Sequence, residues 1–231
     1  MPNQRRKTAQ LPLDLGHRTA LGRDAFVVAP CNENALLWID RWPDWPATGL
    51  AFYGSPGCGK SHLAEVWRAR SGAQAIEAAA ITLHNPAELA AGASALVIKN
   101  LPADIPERAL LHLYNLIGEK GGHILFTALE PPAQYGFHLP DLLSRLRAMP
   151  AIAIEDPDDA VLAAVMRKMF ADRQLPVSED IIDFLVARME RSFFAARGIA
   201  QEIDRMALAE RRQVTIPLAK SVLSAMGGDG E

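Results

Sequence analysis

The chain has 231 residues, 49% of them hydrophobic, with a net charge of −3 at neutral pH; that is enough for one full core and a smaller second one, and it supplies no basic field of the kind that holds nucleic acid non-specifically. Two cysteines, Cys31 and Cys58, are too few for a disulfide framework, which points to a reducing, cytoplasmic setting. No apolar run approaches the roughly 20 residues that span a bilayer, and the basic start Met1-Pro2-Asn3-Gln4-Arg5-Arg6-Lys7 lacks the apolar core of a secretory signal.

Residues 1–20 are polar and basic around one apolar cluster, Gln10-Leu11-Pro12-Leu13-Asp14-Leu15, and predict a flexible tail. From 21 to 155 short apolar runs alternate with helical segments, the pattern of a parallel sheet covered by helices. Strands are expected over 50–53, 73–77, 95–98, 123–127 and 151–154, and helices over 34–42, 62–70 and 107–119. Asp156-Pro157-Asp158-Asp159 then reads as a turn and helix cap, after which only helices follow. Leu162, Val165, Met166, Met169 and Phe170 form one apolar stripe at helical spacing, and Ile181, Ile182, Leu185 and Met189 form another behind Ser178, Glu179 and Asp180. A longer helix is expected over 193–211 and a last one after Pro217. The expected fold class is therefore α/β over 21–155 with a small all-α domain over 156–231.

Gly54-Ser55-Pro56-Gly57-Cys58-Gly59-Lys60-Ser61 fits the phosphate-binding pattern G-x-x-x-x-G-K-[ST] at every fixed position. Glycines let successive backbone N–H groups turn toward one anion, Lys60 adds a point charge for the β- and γ-phosphates, and Ser61 offers a hydroxyl to magnesium. The apolar run Leu50-Ala51-Phe52-Tyr53 leads in, and a helix beginning near His62 leads out with its positive end toward the phosphates. Gly54, Gly57, Cys58, Gly59, Lys60, Ser61 and His62 are the candidate nucleotide-binding residues. The Cys, His and acidic residues show no metal-ligand spacing.

A phosphate loop, a parallel sheet and a C-terminal helical lid together resemble the AAA+ ATPases. Phe26-Val27-Val28, Trp38-Ile39-Asp40 and Trp42-Pro43-Asp44-Trp45-Pro46 before the loop are similar to Hda-type proteins, short relatives of the bacterial replication initiator DnaA. So are His112-Leu113-Tyr114-Asn115, Leu139-Pro140-Asp141-Leu142-Leu143-Ser144-Arg145-Leu146, and the stretch from Arg191-Ser192 through Asp204-Arg205 to Val214-Thr215-Ile216-Pro217. The resemblance covers nearly the whole chain, and the initiator's DNA-reading domain has no counterpart, so no direct sequence-specific DNA binding is expected. It implies that Gln10, Leu11, Leu13 and Leu15 form a peptide for the replicative sliding clamp, an extended segment offering leucines to an apolar pocket. It implies that Arg145 acts as an arginine finger on ATP bound to the initiator, with Arg147 as the nearby alternative. A surface arginine paired to Asp141 one turn away is the competing reading. Arg197 resembles the lid arginine that closes on the phosphates, Arg205 being the alternative register. His62 and His112 read as structural rather than catalytic.

The chain departs from this family at the parts that hydrolyse nucleotide. After Ala95-Leu96-Val97-Ile98, an active ATPase of this class carries two acidic residues, one for magnesium and one for water; this chain has Lys99 and Asn100, and Asp104 lies beyond Leu101-Pro102. Leu129 stands where a polar residue is expected after the next strand, with Thr127 the nearest polar group. Little intrinsic ATPase activity is expected, and binding of ADP or ATP should depend little on magnesium if Lys99 turns into the site. The expected function is a nucleotide-bound regulator that docks on the sliding clamp and stimulates ATP hydrolysis on DnaA, limiting re-initiation of replication. An independent ATPase that loads or remodels nucleic-acid complexes, or an adaptor with a vestigial nucleotide site, are the rival readings. Both a monomer and a homodimer fit the sequence.

Overall fold

A computed structural model describes residues 28–210 and 213–226. The elements are α1 (Pro30–Arg41), β1 (Gly49–Tyr53), α2 (Lys60–Ser71), β2 (Gln74–Glu77), α3 (Pro86–Leu89), β3 (Ala95–Leu101), α4 (Glu107–Glu119), β4 (His123–Ala128), α5 (Pro140–Ala148) and β5 (Ala151–Ala153). Four helices follow: α6 (Asp159–Asp172), α7 (Glu179–Val186), α8 (Phe193–Glu210) and α9 (Ile216–Ala225).

The five strands form one parallel sheet in the order β2-β3-β4-β1-β5. The interior strand β1 is buried on both faces, which is why Leu50-Ala51-Phe52 reads as a continuous apolar run rather than an alternating one. Alternation along β3 divides the interior. Leu96 and Ile98 pack with Leu110, Leu113 and Ile117 of α4, whereas Ala95 and Val97 pack with Leu63, Ala64 and Trp67 of α2. Trp67 stacks on Trp45, ring centroids 5.1 Å apart, and closes the α2 side. A separate cluster of Leu162, Met166, Phe170, Leu185, Ile203 and Val222 holds the four C-terminal helices together. Ala29 and Cys31 meet Val161 and Val165 in a small cluster that joins the start of α1 to α6.

All five expected strands form, and the helix over 107–119 has the expected ends. The differences have local causes. Helix α1 begins at Pro30, four residues before the apolar pattern starts, because Pro at its first turn carries no N–H to satisfy and the Asn32 side chain accepts the Ala29 N–H (3.0 Å). Strand β3 runs to Leu101, three residues past the apolar run, because the register shifts between Ile98 and Leu101 and Asn100 takes φ +54°. Asp158 caps α6 as its position suggests, its carboxylate accepting the Val161 N–H at 2.7 Å. Ser178 occupies the cap of α7 without a side-chain hydrogen bond. The short α3 was not visible in the periodicity, since one turn carries none.

Candidate nucleotide-binding site

Strand β1 ends at Tyr53, the loop turns through Gly54 to Gly59, and α2 starts at Lys60 with Gly59 as its cap at φ +110°. Gly54 and Gly57 hold φ +149° and +80°, conformations that L side chains rarely adopt. Space excludes a side chain there as well. A Cβ on Gly54 would lie 2.3 Å from the Ile154 carbonyl oxygen, and one on Gly57 would lie 2.7 Å from Ser192 Cβ. The loop is thus pressed between the end of β5 on one side and the start of α8 on the other.

The Lys60 ammonium donates to the carbonyls of Gly54 (2.8 Å) and Ser55 (2.6 Å) and lies 3.6 Å from Cys58 Sγ. Cys58 is fully buried beneath the loop, Ser61 is exposed on the first turn of α2, and His62 beside it is half-buried. The Ser55 hydroxyl donates to Asp156, tying the loop to the segment that leads into α6. A cradle of left-handed glycines at the amino end of a 12-residue helix, with a lysine folded along it, fits the phosphates of a nucleotide.

The neighbouring strand ends are built differently. Lys99 is half-buried and, two residues beyond Val97, falls on the face of β3 that packs on α2. Glu65, one turn beyond Ser61, accepts from Arg68 Nε at 2.8 and 2.9 Å. That pairing holds the Glu65 carboxyl below the usual carboxylate range, with the charges of Lys99 and His62 adding to the effect. Asn100 turns toward β2, its amide donating to Glu77 (2.9 Å), while its N–H donates to Thr127 Oγ1 (3.0 Å). Thr127 is fully buried, so its hydroxyl serves the β3 bulge. Leu129 is 60% exposed and offers no polar atom beyond its backbone, and Asp104 sits exposed in the turn before α4. Among the described residues no group of three or more His, Cys, Asp or Glu side chains could hold a metal ion.

Arg145 lies far from this loop. It is exposed on α5, its guanidinium 5.7 Å from the centroid of the Tyr114 ring. The Tyr114 hydroxyl accepts the N–H of Gly49, the first residue of β1, so Arg145 sits at the amino start of β1, about 16 Å from where the loop begins, at 3.3 Å per residue. No ion pair joins Arg145 to Asp141; Arg147 is exposed near the end of the same helix. The start of α5 is held by Glu107, which accepts the N–H groups of His138 and Leu139, and those bonds pull its carboxyl pKa down.

Arg197 is half-buried on α8, one turn beyond Phe193. Arg205 is two turns further along and paired to Glu202 at 2.8 Å. The residues of α8 that meet the loop are others. Ser192 is buried against Gly57 with its hydroxyl accepting the Ala195 N–H, the Phe193 ring lies over Gly59, and Phe194 is 79% exposed beside them. Sequence reasoning missed these three; the only available signal was a serine immediately before a helical stripe. Gln10, Leu11, Leu13 and Leu15 lie outside the described residues.

Residues 158–223 match the family model described as the Hda lid domain. The fold is similar to domain III of the replication initiation protein DnaA from Thermotoga maritima, with a TM-score of 0.73 at 18% identity over 87% of this chain and 94% of that one. It is also similar to AMPPCP-bound DnaA from Aquifex aeolicus (TM-score 0.63, 17% identity, 80% of this chain and 68% of that one). The Thermotoga maritima RuvB branch migration motor matches with a TM-score of 0.66 at 10% identity, over 84% of this chain and 68% of that one. The four C-terminal helices therefore match the Hda lid domain, and the chain as a whole shares the fold of domain III of DnaA.

Proposed function

We propose that the chain holds an adenine nucleotide, ADP or ATP, in the loop Gly54–Ser61 and uses Arg145 to stimulate hydrolysis of ATP bound to DnaA. In this reading the nucleotide is a structural cofactor. Lys60 and the loop N–H groups bind its phosphates, and Ser192, just before α8, with Phe193 and Arg197 on that helix, senses it and sets the position of the lid. Gln10, Leu11, Leu13 and Leu15 dock on the sliding clamp, which brings the chain to replicating DNA without a DNA-binding surface of its own. The outcome is loss of the ATP-bound initiator and suppression of re-initiation.

The observation that carries this reading is the separation of parts. The loop is complete, the acidic pair beside it is replaced by Lys99 and Asn100, and the exposed Arg145 stands at the opposite edge of the sheet. An arginine that is remote from its own loop and faces outward is suited to a neighbour's γ-phosphoryl group, where a guanidinium stabilises the charge developing during transfer. The test is hydrolysis of DnaA-bound ATP reconstituted with this chain and the clamp. Arg145→Ala is expected to lower the stimulated rate by about 1,000-fold, the lower end of what a finger supplied in trans provides, while clamp capture and nucleotide binding stay as in the wild type. Unchanged stimulation would remove Arg145 from the role, and loss through Arg147→Ala alone would move it there.

A further inference from the structure

We infer that the loop takes its nucleotide without magnesium, with Lys99 supplying the positive charge that the metal brings in other phosphate-loop proteins; this rests on the reading of Gly54–Ser61 as a nucleotide site. In phosphate-loop proteins magnesium is held by the loop hydroxyl and by an acidic residue, which the family resemblance puts at the end of β3, two strands from β1 in the sheet. Here that position is Lys99, which continues the Ala95–Val97 face against α2 and forms no ion pair among the described residues. An ammonium ligates no cation and repels one.

The surrounding carboxylates are already engaged. Glu65 is clamped by Arg68, Glu77 accepts from Asn100, and Asp156 accepts from Ser55. Among the described residues around the loop Ser61 remains as an oxygen ligand of the kind magnesium uses, without the free carboxylate that usually joins phosphates and waters around that ion. Conversely, a diphosphate without metal carries more negative charge. The loop meets it with Lys60, the amino end of α2 and Lys99, the first two already in place along the loop. The ionic partner that the nucleotide brings with it elsewhere is here part of the chain.

Calorimetric titration of the full chain with ADP, in excess magnesium and in EDTA, tests this. The wild type is expected to bind in both buffers with dissociation constants within about threefold of one another, and Lys99→Ala to lose about tenfold or more in EDTA, the size of one charge-assisted contact. Lys99→Asp is expected to bind ADP only with magnesium present. Lys99→Met, which keeps the stem of the side chain, guards against a folding defect and should follow Lys99→Ala. A loss of more than about tenfold on chelation in the wild type would overturn the inference while leaving the nucleotide site in place. An absence of ADP binding in either buffer would overturn the nucleotide site itself, and this inference with it.

Discussion

The two halves of the sheet's carboxyl edge have been treated differently. At the end of β1 every element of a phosphate grip is retained: left-handed glycines that tolerate no Cβ, a lysine lying along the loop, and a helix starting immediately behind it. At the ends of β3 and β4, two strands away at most, the corresponding chemical groups are gone. Lys99 is a cation, Asn100 faces β2, Thr127 is committed to the bulge and Leu129 is an exposed hydrocarbon. Binding and hydrolysis have separate structural requirements. Holding an anion needs inward N–H groups and positive charge, whereas cleaving it needs an oriented water and compensation of charge in the transition state.

Substitutions on the two sides should therefore differ in kind. The largest effect is expected from Gly54→Ala. It forces an L residue to φ +149° and sets a methyl 2.3 Å from the Ile154 carbonyl oxygen. A loss of about 2–4 kcal/mol in chemical denaturation, together with loss of nucleotide binding, is expected from the strain and the displaced strand. A stable Gly54→Ala variant with native affinity would mean the loop can relax away from β5.

Lys60→Ala should come next. Removing a charge-assisted contact to phosphate is worth roughly 2 kcal/mol, or about 30-fold in the dissociation constant for ADP. Stability without nucleotide should change little in comparison, because the bonds given for Lys60 stay within the loop itself. Equal losses of stability and affinity would show that the lysine is chiefly a structural brace.

The smallest effect belongs to the dismantled side. Asn100→Asp restores an acid at its sequence position but not in a useful direction, since that side chain meets Glu77. It should cost about 0.5 kcal/mol from like charges at an exposed site, with no gain of ATP turnover. A gain of turnover would show that residue 100 can swing back toward the loop, which would blur the contrast between the two halves.

The two halves were also unequally legible in the sequence. The loop could be read directly because each of its fixed positions answers a chemical need that few residue types meet: glycine for φ, lysine for charge, serine for a hydroxyl. The five strands were visible as apolar runs between turn residues. At the end of β3 the sequence showed which groups were missing but not where the replacements point. A bulge turns the Asn100 side chain toward β2, which its bond to Glu77 reveals.

Long-range contacts were the least legible. Ser192 against Gly57 and Glu107 holding His138 and Leu139 join residues 135 and about 31 positions apart, and neither has a local signature. The position of Arg145 at the far edge of the sheet likewise follows from Tyr114 reaching Gly49, a bond no spacing rule predicts.

The proposal that this chain grips nucleotide without cleaving it has one direct test. Steady-state ATP hydrolysis by the purified wild-type chain, measured beside Lys60→Ala under conditions where ATP binding is saturated, tests that most directly. The expected result is bound ATP that stays intact, with turnover indistinguishable from the Lys60→Ala background. Turnover of about one per second, within the ordinary range for enzymes, that disappears in Lys60→Ala would contradict it.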